Sequence, residues 1–393
     1  MRARLAAPGA QLLAAGLLLT VGLLLAAGLL LAGCGQRAAL ATTVGAHPGD
    51  RDPERVLNVY NWSDYTAPGV IEEFEQEYGI KVHYDVFDSN EVLETKMLAG
   101  ATGYDIAVPS SSFLERQIKA GVYQRLNKSL LTNLGNVDVD MAARFAINDP
   151  GNLYSVNYLW GTTGIGYNVR QVRAVLGDVP VNSFRLLFDP AMVSRFKNCG
   201  VTVLDAPEDV VSTALVYLRR DPNSERLDDL AAAEKLLSGV RPYLRYIHSS
   251  RYIDDLANGE ICLVLGWSGD VGLARARAHE AGAQVEVAFS IPIEGTIMFF
   301  DMLAIPYDAR HPKNAHLFID YLLRPAIAAR NAGTMHSATS NAAAYALIDP
   351  LQFADPNFYP PRALRSRLHG NRGHTQAYTR NVNRLWTRFK SGL

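Results

Sequence analysis

The chain has 393 residues, 48% of them hydrophobic and 20% charged, the make-up of an ordinary globular protein with length for about two domains. Lys plus Arg number 38 against 39 Asp plus Glu, a formal net charge of −1. That balance gives no footing to a nucleic-acid groove or a polybasic membrane patch, so any charge selectivity is local.

The amino terminus is a different material. Arg2 and Arg4 make a basic start, and from Leu5 to Gly33 no charged side chain occurs. Such a segment is an export signal or a membrane anchor. It ends in "LAGC", the bacterial lipobox pattern, which makes residues 1–33 a lipoprotein signal peptide and Cys34 the lipidated first residue of the mature chain. The other reading is an uncleaved transmembrane helix, for which the apolar stretch is long enough. Either way the rest of the chain lies outside the cytoplasm, in the lipoprotein reading as a membrane-anchored periplasmic protein. Residues 34–54 lack hydrophobic periodicity and read as a flexible tether.

From Val56 onward strands and helices alternate. "VLNVY", "IKVHYDVF" and "YDIAVPS" read as strands, with helices over Gly69–Tyr78, over Asn90–Ala99 with Asn90 as N-cap, and on to Ala120. Further strands are "TGIGYNV", "VTVLD", "ICLVLGW" and "EVAFSIP", with helices over Val210–Arg219 and Asp228–Ser238 between them. Alternation of this kind implies βαβ units, parallel sheets and, at this length, two α/β lobes. Cys199 and Cys262 are an even pair in an oxidising compartment and read as a disulfide, two buried thiols being the alternative. No CxxC or HExxH pattern occurs, which leaves no signal for a zinc site or another metal.

Four stretches place functional side chains where a strand gives out or within a strand-like run: "NWSDY" (61–65), Ser110 to Ser112, "GWSGD" (266–270) and "FFD" (299–301). In open α/β sheets ligands bind beyond the carboxyl ends of strands. Three of the four pair an aromatic ring with an aspartate. A ring face attracts a cation and covers methylene groups, and a carboxylate accepts charge-assisted hydrogen bonds. Several of both suit an organic cation with an apolar body better than a sugar, because unpaired carboxylates are costly to desolvate. Singly, Trp62 and Trp267 also read as core, Phe299 and Phe300 as a buried strand, and Asp64 and Asp270 as turn or cap residues.

The run "LNVYNWSDYTAPGVIEEFEQEYGIKVHYDVFDSNEVLETKMLAGATGYDIAVPSSSFLERQ" resembles the polyamine-binding components of bacterial ABC importers, the putrescine-binding branch above all. The likeness continues through "TTGIGYNV", "CGVTVLDAPEDV", "RYIHSSRYIDDLANGEICLVLGWSGDV" and "FFDMLAIP". The resemblance implies a two-lobed periplasmic-binding-protein fold of type II, with lobes at 55–158 plus 280–330 and 159–279 plus 331–393, and hinge closure on a ligand between them. It implies a wall of Trp62, Ser63, Asp64 and Tyr65, helped by Ser110. Asp270 and Asp301 would hold ammonium groups, Trp267 and Phe299 would flank the carbon chain, and Asp209 would reach the cleft where relatives have a longer glutamate. Ser337 falls where relatives have a tyrosine, which widens the pocket toward amines longer than putrescine, whereas Phe299 in place of a tryptophan points back to the diamine.

The partners implied are a polyamine and the permease and ATPase subunits of an importer, with a lipid anchor in the membrane, a monomeric state, no cofactor and no nucleic acid. A receptor that senses polyamine for a membrane signalling partner would share this fold and pocket. An amine-acting enzyme is the remaining class, but "GTTGIG" (161–166) has its glycines in the wrong order for a dinucleotide turn.

Overall fold

The computed structural model describes residues 51–392, so the leader, Cys34 and nearly all of the tether lie outside the described residues. The strands are β1 (Val56–Trp62), β2 (Lys81–Phe87), β3 (Ile106–Ala107), β4 (Ser155–Asn168), β5 (Val201–Val203), β6 (Tyr246–Ile247), β7 (Leu263–Trp267), β8 (Val287–Ser290), β9 (Thr296–Ala304) and β10 (Leu368–Gly370). They follow the order β2-β1-β3-β9-β4-β7-β5-β6, with β10 beside β9 and β8 beside β4.

The parallel pairing expected from strand and helix alternation holds at both ends of this path, where β1 pairs with β2 and β3, and β5 with β6 and β7. It fails in the middle. There β9 runs antiparallel to β3 and β4, and β4 antiparallel to β7 and β8. The expected strand "TGIGYNV" is only the second half of β4, whose 14 residues are nearly all buried. Residues 155–162 of β4 pair with β9 and residues 163–168 with β7 and β8, so one strand serves both halves of this two-lobed α/β body. A strand covered on both faces carries no two-residue alternation to mark its length.

The helices follow local rules. Val70–Tyr78 buries Val70, Phe74 and Tyr78 at four-residue spacing and carries Glu72 and Glu73 at its positive end. The Asn90–Ala99 helix is capped by Ser89, whose Oγ accepts from the Val92 N–H, and not by Asn90. Asn90 is used elsewhere: it donates to Ser110 Oγ at 3.0 Å and accepts from Ser110 N at 2.9 Å. The helix expected from Val210 spans Pro207–Tyr217, because Pro207 is suited to a first turn whose N–H groups go unused. Cys199 and Cys262 form a disulfide across 63 positions, joining the turn before β5 to the start of β7. Among the described residues no helix is long and apolar enough to cross a membrane.

Candidate functional site

The carboxyl ends of β1, β3 and β7 and the middle of β9 open onto one cleft of roughly 1200 Å³, open mouth included. On the first side, the Trp62 backbone N–H is held by Asn61 Oδ1, its Nε1 donates to Val108 O at 3.0 Å and its ring lies 4.6 Å from that of Phe87. Asp64 sits at φ 51°, a left-handed turn position that aspartate tolerates. Tyr65 donates its hydroxyl to Asp301 Oδ2 at 2.7 Å, and Ser110 donates to Asp301 Oδ1 at 2.7 Å. Ser63 and Asp64 are exposed at the rim, where Ser63 Oγ donates to Asp88 at 3.1 Å.

On the second side, Asp270 lies in the first turn of the Ser268–Glu280 helix and accepts from Tyr252 Oη at 2.8 Å. Asp209 lies in the first turn of the Pro207–Tyr217 helix, accepting from Trp267 Nε1 at 2.7 Å and Asn371 Nδ2 at 3.3 Å. The Trp267 and Phe299 rings meet edge to face with centroids 6.4 Å apart. Phe299 pairs across the ladder with Gly161, where a Cβ would fall 2.6 Å from its ring and 2.7 Å from Ser268 Oγ. Only glycine lets β4 pass beneath that ring. Ser337 is buried in the wall and donates to Met335 O at 3.2 Å.

Burial pushes Asp209, Asp270 and Asp301 each up to about 6, despite the hydrogen bonds that favour their ionised forms. Asp301 further raises Asp270, and Asp209 further raises Asp301. Among the described residues none of the three has a lysine or arginine as ion-pair partner; Arg277, whose charge reaches Asp270, is tied to Asp254 at 2.7 Å. The cleft is therefore a ring-lined space with three carboxylates and, among the described residues, no cation paired to them, set for an organic cation.

All eleven ligand-binding positions expected from the sequence line this one cleft: Trp62, Ser63, Asp64, Tyr65, Ser110, Asp209, Trp267, Asp270, Phe299, Asp301 and Ser337. The sequence reading missed Asp88, Asn371 and Tyr252. Asp88 stands one residue past β2, another carboxyl strand end that could have been read like the rest. Asn371 reaches Asp209 across 162 positions and Tyr252 reaches Asp270 across 18, with no local signal for either.

A two-lobed α/β body with its ligand cleft at the strand ends defines a solute-binding protein of type II. A profile of bacterial extracellular solute-binding proteins matches residues 69–359, and the chain belongs to that family. It is 47% identical over 357 residues to the putrescine-binding periplasmic protein PotF of Escherichia coli (strain K12), covering 90% of this chain and 96% of the relative. It is also 47% identical over 339 residues to the putrescine-binding periplasmic protein SpuD of Pseudomonas aeruginosa (strain UCBPP-PA14), covering 86% and 92%. Among solved structures, the spermidine/putrescine ABC transporter substrate-binding protein PotD from Streptococcus pneumoniae superposes with a TM-score of 0.71 at 25% identity, covering 86% of this chain and 99% of that one.

Proposed function

We propose that this protein binds putrescine or a close relative outside the cytoplasm and delivers it to the permease and ATPase of an ABC importer. The observation that carries the reading is the set of three carboxylates without an ion-pair partner among the described residues, Asp301 buried and Asp209 and Asp270 half-buried, beside Trp62, Trp267 and Phe299. Asp270 and Asp301 take the ammonium groups and the rings cover the methylenes between them. The likeness to two putrescine-binding relatives over nearly their whole lengths supports the same ligand class.

Two or three charge-assisted hydrogen bonds with ring contacts, less the cost of closure and immobilisation, give about −8 kcal/mol, micromolar binding. Ser337, a small side chain packed on Gly269 beside Asp270, leaves width for a longer amine, whereas Phe299 keeps the other flank suited to a diamine. The reading includes a lipid anchor at Cys34, a monomer that binds without turning its ligand over, and two lobes linked by crossings such as β4.

Isothermal titration calorimetry across putrescine, cadaverine, agmatine, spermidine and spermine tests it. Micromolar or tighter binding of at least one amine is expected, and heats indistinguishable from dilution for all five would overturn the reading.

A further inference from the structure

We infer that Tyr252, which is not part of the cleft wall, is the positioning residue of the second half of the site, fixing both the Asp270 carboxylate and the Trp267 backbone for the ligand; this rests on the amine reading above. Tyr252 is fully buried at the start of the Tyr252–Ala257 helix. Its hydroxyl has one proton and free lone pairs, and uses both: it donates to Asp270 Oδ2 at 2.8 Å and accepts from Trp267 N at 3.2 Å. Trp267 is the N-cap of the Ser268–Glu280 helix and offers no side-chain cap; the phenol accepts from its backbone N–H, the contact that the N3 side chain of a capping box would otherwise make.

The neighbouring glycine belongs to the same device. A Cβ on Gly266 would lie 3.0 Å from Tyr252 Cε2 and 3.2 Å from Cζ, so a larger residue would press on the ring and displace it by a few tenths of an ångström against its two hydrogen-bond partners. In "GWSGD" the first glycine thus admits the tyrosine, the tryptophan supplies the cleft ring, and the aspartate receives the proton donor. Among the described residues Tyr252 is the one hydrogen-bond partner of the Asp270 carboxylate, which leaves Oδ1 for an ammonium group.

The charged and titratable groups facing Asp270 are few. Arg277 lies on its own helix and is tied to Asp254 at 2.7 Å, Asp301 faces it from β9, Tyr65 from the turn after β1, and Tyr252 from the helix packed alongside. Arg277 and Tyr252 favour the ionised carboxylate and Asp301 opposes it. Removing the Tyr252 hydroxyl therefore lets Asp270 take up a proton at higher pH and frees it to turn.

The test is calorimetry with putrescine on the full chain for wild type, Tyr252→Phe, Asp270→Asn and the double variant. Tyr252→Phe is expected to weaken binding about tenfold at pH 7.5, as for loss of a hydrogen bond to a charged group. It is also expected to raise the pH at which affinity falls away on acidification, and to add less than about twofold once Asp270 is Asn. A 2,3-difluorotyrosine at position 252 keeps the ring and strengthens the donor, so it should shift that pH downward; it carries the test alone if the phenylalanine variant does not fold. Equal losses in both backgrounds, or an unmoved pH midpoint, would overturn the inference. Failure of the wild type to bind any amine would overturn the functional reading instead. Carbon-13 NMR titration of Asp270 would then decide the positioning: Tyr252→Phe should move its titration upward, and an unchanged curve would refute it.

Discussion

Asp301, which is buried, and Asp270, which is half-buried, are both pushed up to about 6 by desolvation, yet the molecule holds them in different ways. Asp301 accepts from two hydroxyls, Tyr65 and Ser110, that themselves line the cleft and can exchange protein contacts for ligand contacts. Asp270 accepts from one hydroxyl, Tyr252, that stands behind the wall. The first half of the site can trade its two hydroxyl contacts for ligand contacts, whereas on the positioning inference for Tyr252 the second half is fixed before the ligand arrives. Fixing it lowers the ordering cost of binding at that end.

The largest way to break this contrast is through the disulfide, because Cys199 and Cys262 both lie on the side that carries Asp270. Closing a loop of 63 residues contributes about 4 kcal/mol in the chain-entropy model. Cys199→Ser with Cys262→Ser should lower thermal stability by about that amount, and hydrogen exchange should rise in β5 and β7 more than in β1 and β2. Uniform loosening would remove the contrast.

Next come the carboxylates. Asp301→Asn and Asp270→Asn should each cost at least ~2 kcal/mol of putrescine affinity by calorimetry, while the empty protein melts at a higher temperature because a buried charge without a partner is gone. A variant that loses affinity together with empty-state stability would show that its aspartate is structural.

The pH dependence has a definite sign. With folded-state values near 6, above the usual carboxylate value, Asp209, Asp270 and Asp301 help the empty fold below about pH 4 and lose that contribution as pH rises through about 6. A bound dication needs the ionised forms. Affinity should be level from pH 7 to 8 and fall about tenfold or more by pH 5; a flat profile would mean that the ligand meets no titrating carboxylate.

The smallest effect should come from Ser110→Ala or Tyr65→Phe, each about 1 kcal/mol or less, since the other hydroxyl still serves Asp301. A Tyr65→Phe loss as large as the tenfold expected for Tyr252→Phe would show the first half to be as rigid as the second.

Much of this was legible along the chain. The outer parallel pairs follow from strand and helix alternation, and Trp62, Asp64, Trp267, Asp270, Phe299 and Asp301 from rings beside aspartates, whereas Asp209 and Ser337 follow only from the family resemblance and the helix expected from Val210 starts three residues earlier, at Pro207. The full length of β4 was hidden by burial on both faces, and the cap at Ser89 by its more conspicuous neighbour Asn90. Tyr252 and Asn371 could not be read, because each acts on a carboxylate brought to it only by the fold.

By itself the sequence determined which side chains carry charge, which carry rings, and where local geometry starts a helix or ends a strand, since these depend on a residue and its near neighbours. Only the tertiary structure decided that four distant stretches share one cleft, that Gly161 and Gly266 make room for Phe299 and Tyr252, and that three aspartates lose their water without gaining a cation. Desolvation belongs to the surroundings a side chain is folded into, and no stretch of chain carries those surroundings with it.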